Sequence, residues 1–294
     1  MSDFLDTEEA ALEASRAPLM DHLVELRTRL IWCVVAFVIA FGVCFYFADP
    51  IYRFLLHPFE VAGQLMDAQT RSGGKHGPFD LLLALMNLKD VPLGARNTLE
   101  LIYTGPLEFF FTKLKLAGFG AVFLSFPVLA YQLYRFVAPG LYKREKYAFL
   151  PFLLASPVLF ALGAALVYWI MLPFVLWFSL SQQITGGGVN VHLLPKVSDY
   201  FNLVTTLLLA FGLCFQLPVV LTLLGLSGIV SSKMLAEGRR YAILAVVVVA
   251  AILTPPDPIS QLMLAVPIVL LYEISIWCVR LIEFRRGKDE TAAA

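Results

Sequence analysis

Charge is scarce in this chain. Only 15% of its 294 residues are Asp, Glu, Lys or Arg, against roughly 25% in a soluble domain. Lys plus Arg and Asp plus Glu both number 22, so no excess of one sign points to nucleic acid or another highly charged partner. Catalytic signatures are lacking too: there is no HExxH helix, no GxSxG nucleophile turn and no Walker A loop. The run Gly186-Gly187-Gly188 has no phosphate-binding lysine after it and no strand pattern before it, and it reads as an external turn. Cysteines number four, Cys33, Cys44, Cys214 and Cys278, all inside apolar stretches with no CxxC spacing and no nearby histidine. They read as small buried hydrophobes, and neither a disulfide nor a metal site is expected. The segment Met1 to Pro18 is acidic and polar. A cleavable leader needs a basic region followed by an apolar core, so insertion is expected to rely on the first span. No catalytic residue and no cofactor are assigned, and the chain is not read as an enzyme.

Apolar residues are what the chain has instead: 59% are hydrophobic, with mean hydropathy +0.78. About 20 apolar residues at 1.5 Å rise cross the roughly 30 Å of hydrocarbon in which no backbone group is left unpaired. Leu30 to Ala48 meets this without a charge, and Leu116 to Tyr134 follows between Lys115 and Arg135. The third span is placed at Tyr147 to Leu180, bent by Pro151, Pro157 and Pro173, and the fourth at Tyr200 to Leu224, ending at Gly225, Ser227 and Gly228. Tyr241 to Leu253 and Ile259 to Val279 complete six, separated by Thr254-Pro255-Pro256-Asp257-Pro258, where clustered prolines predict a tight hairpin. The fifth, with about 13 apolar residues, is short and requires snorkelling by Arg239 and Arg240 or local thinning of the bilayer.

Six crossings predict an all-α membrane protein with both termini on one side. Fourteen of the 22 basic residues fall on that side, which predicts cytoplasmic termini. The organisation expected is an acidic tail at 1–18, a membrane domain at 19–280 with an external cap at 49–106, and a second cytoplasmic tail at 281–294. Within the cap, Arg71 to Pro78 reads as an exposed turn or linker, Phe79 to Leu88 as a short surface helix, and Leu99 to Tyr103 as a return to the fold.

Several polar groups stand out. Before the first span, Leu19, Leu23, Leu26 and Leu30 form one apolar stripe, while His22, Glu25 and Arg29 share another face. This predicts an amphipathic helix at the cytoplasmic interface. Glu25 either pairs with Arg29 or receives an incoming arginine through a charge-assisted hydrogen bond. After the second span, Pro139 and Gly140 turn the chain, and Glu145 is the one acidic residue beside Lys143, Arg144 and Lys146. It either neutralises them or meets a cationic ligand. Gln216 lies deep in the fourth span beside Pro218, suited to an amide contact with another helix, and Glu273 snorkels or pairs with Arg280.

The chain resembles the TatC family, the multispanning core of the twin-arginine protein translocase. The resemblance rests on His22-Leu23-Val24-Glu25-Leu26-Arg27-Thr28-Arg29-Leu30, Thr104-Gly105-Pro106, Phe136-Val137-Ala138-Pro139-Gly140-Leu141-Tyr142-Lys143-Arg144-Glu145, and Thr254-Pro255-Pro256-Asp257-Pro258-Ile259-Ser260-Gln261. It implies six helices in a concave, glove-like bundle in the bacterial inner membrane. It also implies recognition of folded cargo bearing twin-arginine signal peptides, and assembly with the single-span proteins TatA and TatB, with membrane lipids and with further copies of itself. Carried onto this sequence, it marks Glu25, Phe136 and Glu145 for signal-peptide binding. His22, Arg27, Arg29, Pro139, Gln216 and Asp257 have supporting positions, Arg27 orienting the tip or meeting lipid headgroups. Gln216 stands where many relatives carry glutamate, so a neutral hydrogen-bonding role is expected there. The segment Phe59 to Asn97 is longer than the family's usual cap. A small-molecule or ion secondary transporter, which the membrane spans, prolines and intramembrane Gln216 support generically, is the alternative.

Overall fold

The computed structural model describes residues 2–71, 101–137, 145–183, 194–253 and 258–293, with side chains mainly between 23 and 284. Among the described residues every regular element is a helix, and one isolated bridge joins Ile102 to Lys196. Helix α1 runs Ser2–Tyr46, α2 Ala48–Arg71, α3 Glu108–Val137 and α4 Glu145–Leu166. A π-helical turn, Val167–Met171, leads into α5, Leu172–Ser181. Then come α6 (Val197–Cys214), α7 (Leu217–Leu226), α8 (Ser232–Glu237), α9 (Arg239–Leu253) and α10 (Pro258–Ala293).

Among the described residues, five stretches are long and apolar enough to cross a membrane: Leu23–Tyr46, Glu108–Phe136, Leu154–Ser181, Val197–Leu226 and Gln261–Phe284. The sixth crossing falls to α9, whose 15 residues extend about 22 Å. The third stretch is 56% buried and the first only 11%, so the former forms the middle of the bundle and α1 its edge. Helix α1 packs along α3, α4 against α6, α7 and α9 against α10, and α2 against α5.

The proline-rich third span is one helical path. Pro173 lacks the N–H that an α-turn needs, and the π turn immediately before it absorbs the mismatch. In the fourth span Pro218 coincides with a break at Phe215–Gln216 between α6 and α7. Gly228, at φ +72°, ends α7 in the left-handed region that favours glycine. Small residues set the closeness of the central pair. A Cβ at Gly212 would lie 2.6 Å from the Phe160 ring, and one at Gly163 would lie 2.8 Å from the Phe211 carbonyl. Each helix thus presents a glycine to the other's aromatic ring or backbone.

Two features add to what the sequence suggests. The amphipathic segment around Leu19 to Leu30 runs without interruption into the first span, as part of the one helix Ser2–Tyr46. The start of the cap is a 24-residue helix, α2, despite its internal Pro58. Its Ala62 and Phe59 are buried on one side while Arg53, His57 and Glu60 are exposed. The surface helix expected at Phe79 to Leu88, the loop residue Pro139 and the hairpin with Asp257 lie outside the described residues, as do the side chains of His22 and Glu145.

Candidate functional site

At the termini end of the bundle, Glu25 is about a third exposed and Arg29 is largely covered, with 35% and 14% of the side chains accessible. The Arg29 guanidinium donates from both Nε, at 3.2 Å, and a terminal nitrogen to one carboxylate oxygen, Oε1. One turn of helix separates the two residues, the spacing at which such pairs meet. Thr28 Oγ1 donates to the Val24 carbonyl, keeping that face of the stem polar without a free hydroxyl.

The partner helix sets the level of the next residue. Cys44 lies against the position a Cβ on Gly120 would take, and Asp49 forms an ion pair with Lys113 at 2.5 Å. The two helices run antiparallel along each other, so Phe136, near the C-terminus of α3, lies at the end of the pair that carries the Glu25 half of α1. Phe136 is half-buried at the end of α3, next to Arg135, whose guanidinium lies 5.8 Å from the Tyr131 ring centre. Glu145 is the first residue of α4. The Glu25 stretch of α1, the end of α3 and the start of α4 therefore lie towards one end of the molecule, with residues 138–144 outside the described residues.

Deeper in the bundle, Gln216 makes a two-way contact with α4. Its Nε2 donates to the Ser156 carbonyl at 2.9 Å, and Ser156 Oγ donates to Gln216 Oε1 at 2.7 Å. Gln216 occupies the break before α7, so the irregular point of the fourth span finds its polar partner on the third. Glu273 pairs not with Arg280 but with Arg239, at 2.8 and 2.9 Å through two separate oxygens. Arg239 opens α9 beside α10, within fork-to-fork reach, whereas Arg280 follows Glu273 by nearly two turns on the same helix. Tyr272 donates to the Leu235 carbonyl at 2.9 Å, and Glu283 accepts from the Ser232 amide at 2.8 Å, holding α8 against α10.

The cap end carries a contact that the sequence reading passed over. Glu108 accepts from the amides of Thr104 at 2.8 Å and Gly105 at 3.2 Å, from Thr104 Oγ1 at 3.2 Å, and from the Ser198 amide at 3.4 Å. Ile102 donates to the Pro195 carbonyl and accepts from the Val197 amide at 2.9 Å. Together they staple the start of α3 to the start of α6. The visible signal was a glutamate three residues after Gly105, the spacing at which a side chain reaches back to a helix-opening amide. Tyr168 and Tyr200 donate to the adjacent Phe54 and Leu55 carbonyls at 2.7 and 2.6 Å, fastening α2 over the third and fourth spans.

Residues 21–267 match the family model described as Sec-independent protein translocase protein (TatC). The chain belongs to the TatC family. It is 39% identical over 277 residues to the Sec-independent protein translocase protein TatC of Magnetococcus marinus, covering 94% of this chain and 89% of that one. It is 34% identical over 260 residues to the TatC of Escherichia coli K12, with 88% and 87% covered. A crystal structure of the twin arginine translocase receptor TatC superposes with a TM-score of 0.65 at 34% identity, covering 88% of this chain and 98% of that one. A second, in the detergent DDM, gives 0.67 at 36% identity, with 87% and 98% covered. The fold is therefore the six-span, glove-like TatC architecture, and the chain is a multi-pass membrane subunit of a Sec-independent protein translocase, which displaces the secondary-transporter alternative.

Proposed function

We propose that this TatC chain recognises twin-arginine signal peptides through Glu25, Phe136 and Glu145, on a face that lies in the cytoplasm with both termini. The observation that carries the reading is the Glu25–Arg29 pair. A carboxylate at the membrane edge already holds a guanidinium there, using one oxygen. An arriving arginine uses the same chemistry, and a second carboxylate at Glu145 would favour two adjacent arginines over one. Phe136, at the same end of the α1–α3 pair, offers an apolar surface to the residues that follow the arginines. Arg29 is the internal competitor that a signal peptide has to displace or share. TatA- and TatB-like single-span proteins are the partners, and α1 offers a long apolar surface for helix contacts, with Leu30, Val34, Val38 and Ile39 all exposed.

The test compares signal-peptide affinity and crosslinking for Glu25→Gln, Glu145→Gln and the double variant, with membrane insertion checked separately. Losing one productive charged contact costs about 1 to 3 kcal/mol, so each single variant is expected to weaken binding roughly five- to 150-fold. A lysine-for-arginine signal should lose its disadvantage in the double variant. Unchanged affinity and selectivity in the inserted double variant would remove this surface from the mechanism.

A further inference from the structure

Beneath the cap helix, α2, α3, α4 and α6 enclose a cavity of about 310 Å³. Phe54 and Leu55, Phe119 and Phe123, Ala164 and Trp169 supply most of its wall. The nearest hydroxyl, on Tyr168, is already committed to the Phe54 carbonyl. Water needs two or more polar partners to occupy such a space, and this lining supplies none. Hydrocarbon is the occupant the wall suits, and the cavity opens beside Trp169, which is 60% exposed.

The depth of the cavity is set by its neighbours. Tyr168 and Tyr200 reach successive carbonyls of α2, and Tyr200 lies three residues inside the start of α6. Tyr52, Tyr168, Trp169 and Tyr200 thus share one level, the kind of aromatic band that marks a membrane–water interface. Just above it, α2 exposes Arg53, His57 and Glu60, which recur at helical spacing on one face. The His57 ring stacks 6.5 Å from that of Tyr168, at the edge of the cavity. No ion pair among the described residues engages any of the three.

His57 links the two features: its ring meets that of Tyr168, which lines the cavity, and it shares its helix face with Arg53 and Glu60. We propose that this face is a binding site for a phospholipid with a primary-ammonium headgroup, one acyl chain entering the cavity. Its phosphate meets Arg53 and His57, and its ammonium meets Glu60. The site needs only membrane embedding, so it stands or falls separately from signal-peptide recognition.

Trp169 is the probe. The full chain carrying Trp32→Phe, Trp177→Phe and Trp277→Phe is reconstituted in phosphatidylcholine vesicles with increasing fractions of acyl-brominated phosphatidylethanolamine, phosphatidylglycerol or phosphatidylcholine. Brominated phosphatidylethanolamine is expected to quench Trp169 at about fivefold lower mole fraction than brominated phosphatidylcholine, the scale of one charged contact at a membrane surface. Arg53→Gln with His57→Gln should weaken quenching by phosphatidylethanolamine and phosphatidylcholine alike, since both carry the phosphate, and Glu60→Gln should abolish the preference for phosphatidylethanolamine, since Glu60 meets the primary ammonium. Ala161→Phe, which narrows the cavity from an exposed position, should weaken quenching by all three lipids. Equal quenching by every headgroup, a preference unchanged in the Glu60 variant, or no quenching by any lipid would each overturn the proposal. The first two would leave only ordinary boundary lipid, and the last would mean that protein covers the cavity.

Discussion

At the scale of single residues, the bundle depends on a few atoms without slack. Gly212 faces the Phe160 ring too closely for any side chain, and Phe160 is itself fixed by stacking on Phe126 at 3.9 Å. Gly212→Ala is expected to cost about 1 to 3 kcal/mol as overpacking, read as a lower unfolding temperature in detergent. Gly42→Ala, with nothing within 4 Å, is the control and should leave that temperature almost unchanged. Gln216 invites a different substitution series. Its amide both donates to and accepts from Ser156, so Gln216→Leu leaves the Ser156 hydroxyl without that acceptor and should lower stability by about 0.6 to 2 kcal/mol. Gln216→Glu retains the acceptor for Ser156 Oγ and should keep more transport activity than the leucine variant. An amide does not titrate near neutrality; full transport by Gln216→Leu would show the contact to be dispensable. The sequence singled out Gln216 because a polar side chain deep in a span needs a partner, but Ser156 was hidden 60 positions away. Arg239, 34 positions from Glu273, was missed for the same reason, since helical spacing reveals partners on one helix only.

Among the elements, α2 was the least legible. Its apolar residues are interrupted by Arg53, His57, Pro58 and Glu60, and a span search discards such a segment. The helix exists because Leu55, Phe59 and Ala62 bury one side against the bundle, with Tyr168 and Tyr200 fastening its carbonyls. The long spans were legible, because an uninterrupted apolar run allows few alternatives in lipid. Their ends were less so, since Glu108 and the Ile102–Lys196 bridge depend on chain returning from elsewhere. That staple can be measured directly. With the four native cysteines replaced, Ile102→Cys and Lys196→Cys should form a disulfide readily, because bridge partners bring their Cα atoms within disulfide reach. Adding Glu108→Ala should slow that oxidation several-fold, whereas an unchanged rate would show that the bridge holds without the carboxylate.

For the whole molecule, the helix order brings the chain back to its starting side after α10, in agreement with six crossings read from the sequence. Orientation rests on the distribution of basic residues. A cysteine introduced as Asp257→Cys, in the background lacking native cysteines, is expected to react with a membrane-impermeant reagent from outside the cell; reaction only from the cytoplasmic side would invert the topology. The proposed surface of Glu25, Phe136 and Glu145 rests on the resemblance, because carboxylates beside basic residues are ordinary at any membrane surface. Helix α9 carries a different consequence. At about 22 Å its 15 residues fall well short of the roughly 30 Å of hydrocarbon beside them, while Tyr241, Leu244, Val248 and Ile252 face outward. The rim of the protein is therefore uneven in height, and the mismatch is met by snorkelling of Arg239 and Arg240 or by a dip of the bilayer to its low edge. A membrane is an elastic sheet, and a dip costs fractions of a kcal/mol per ångström of mismatch. Two such edges brought together share one depression, so the lipid itself draws short-edged helices towards α9 before any side chain touches.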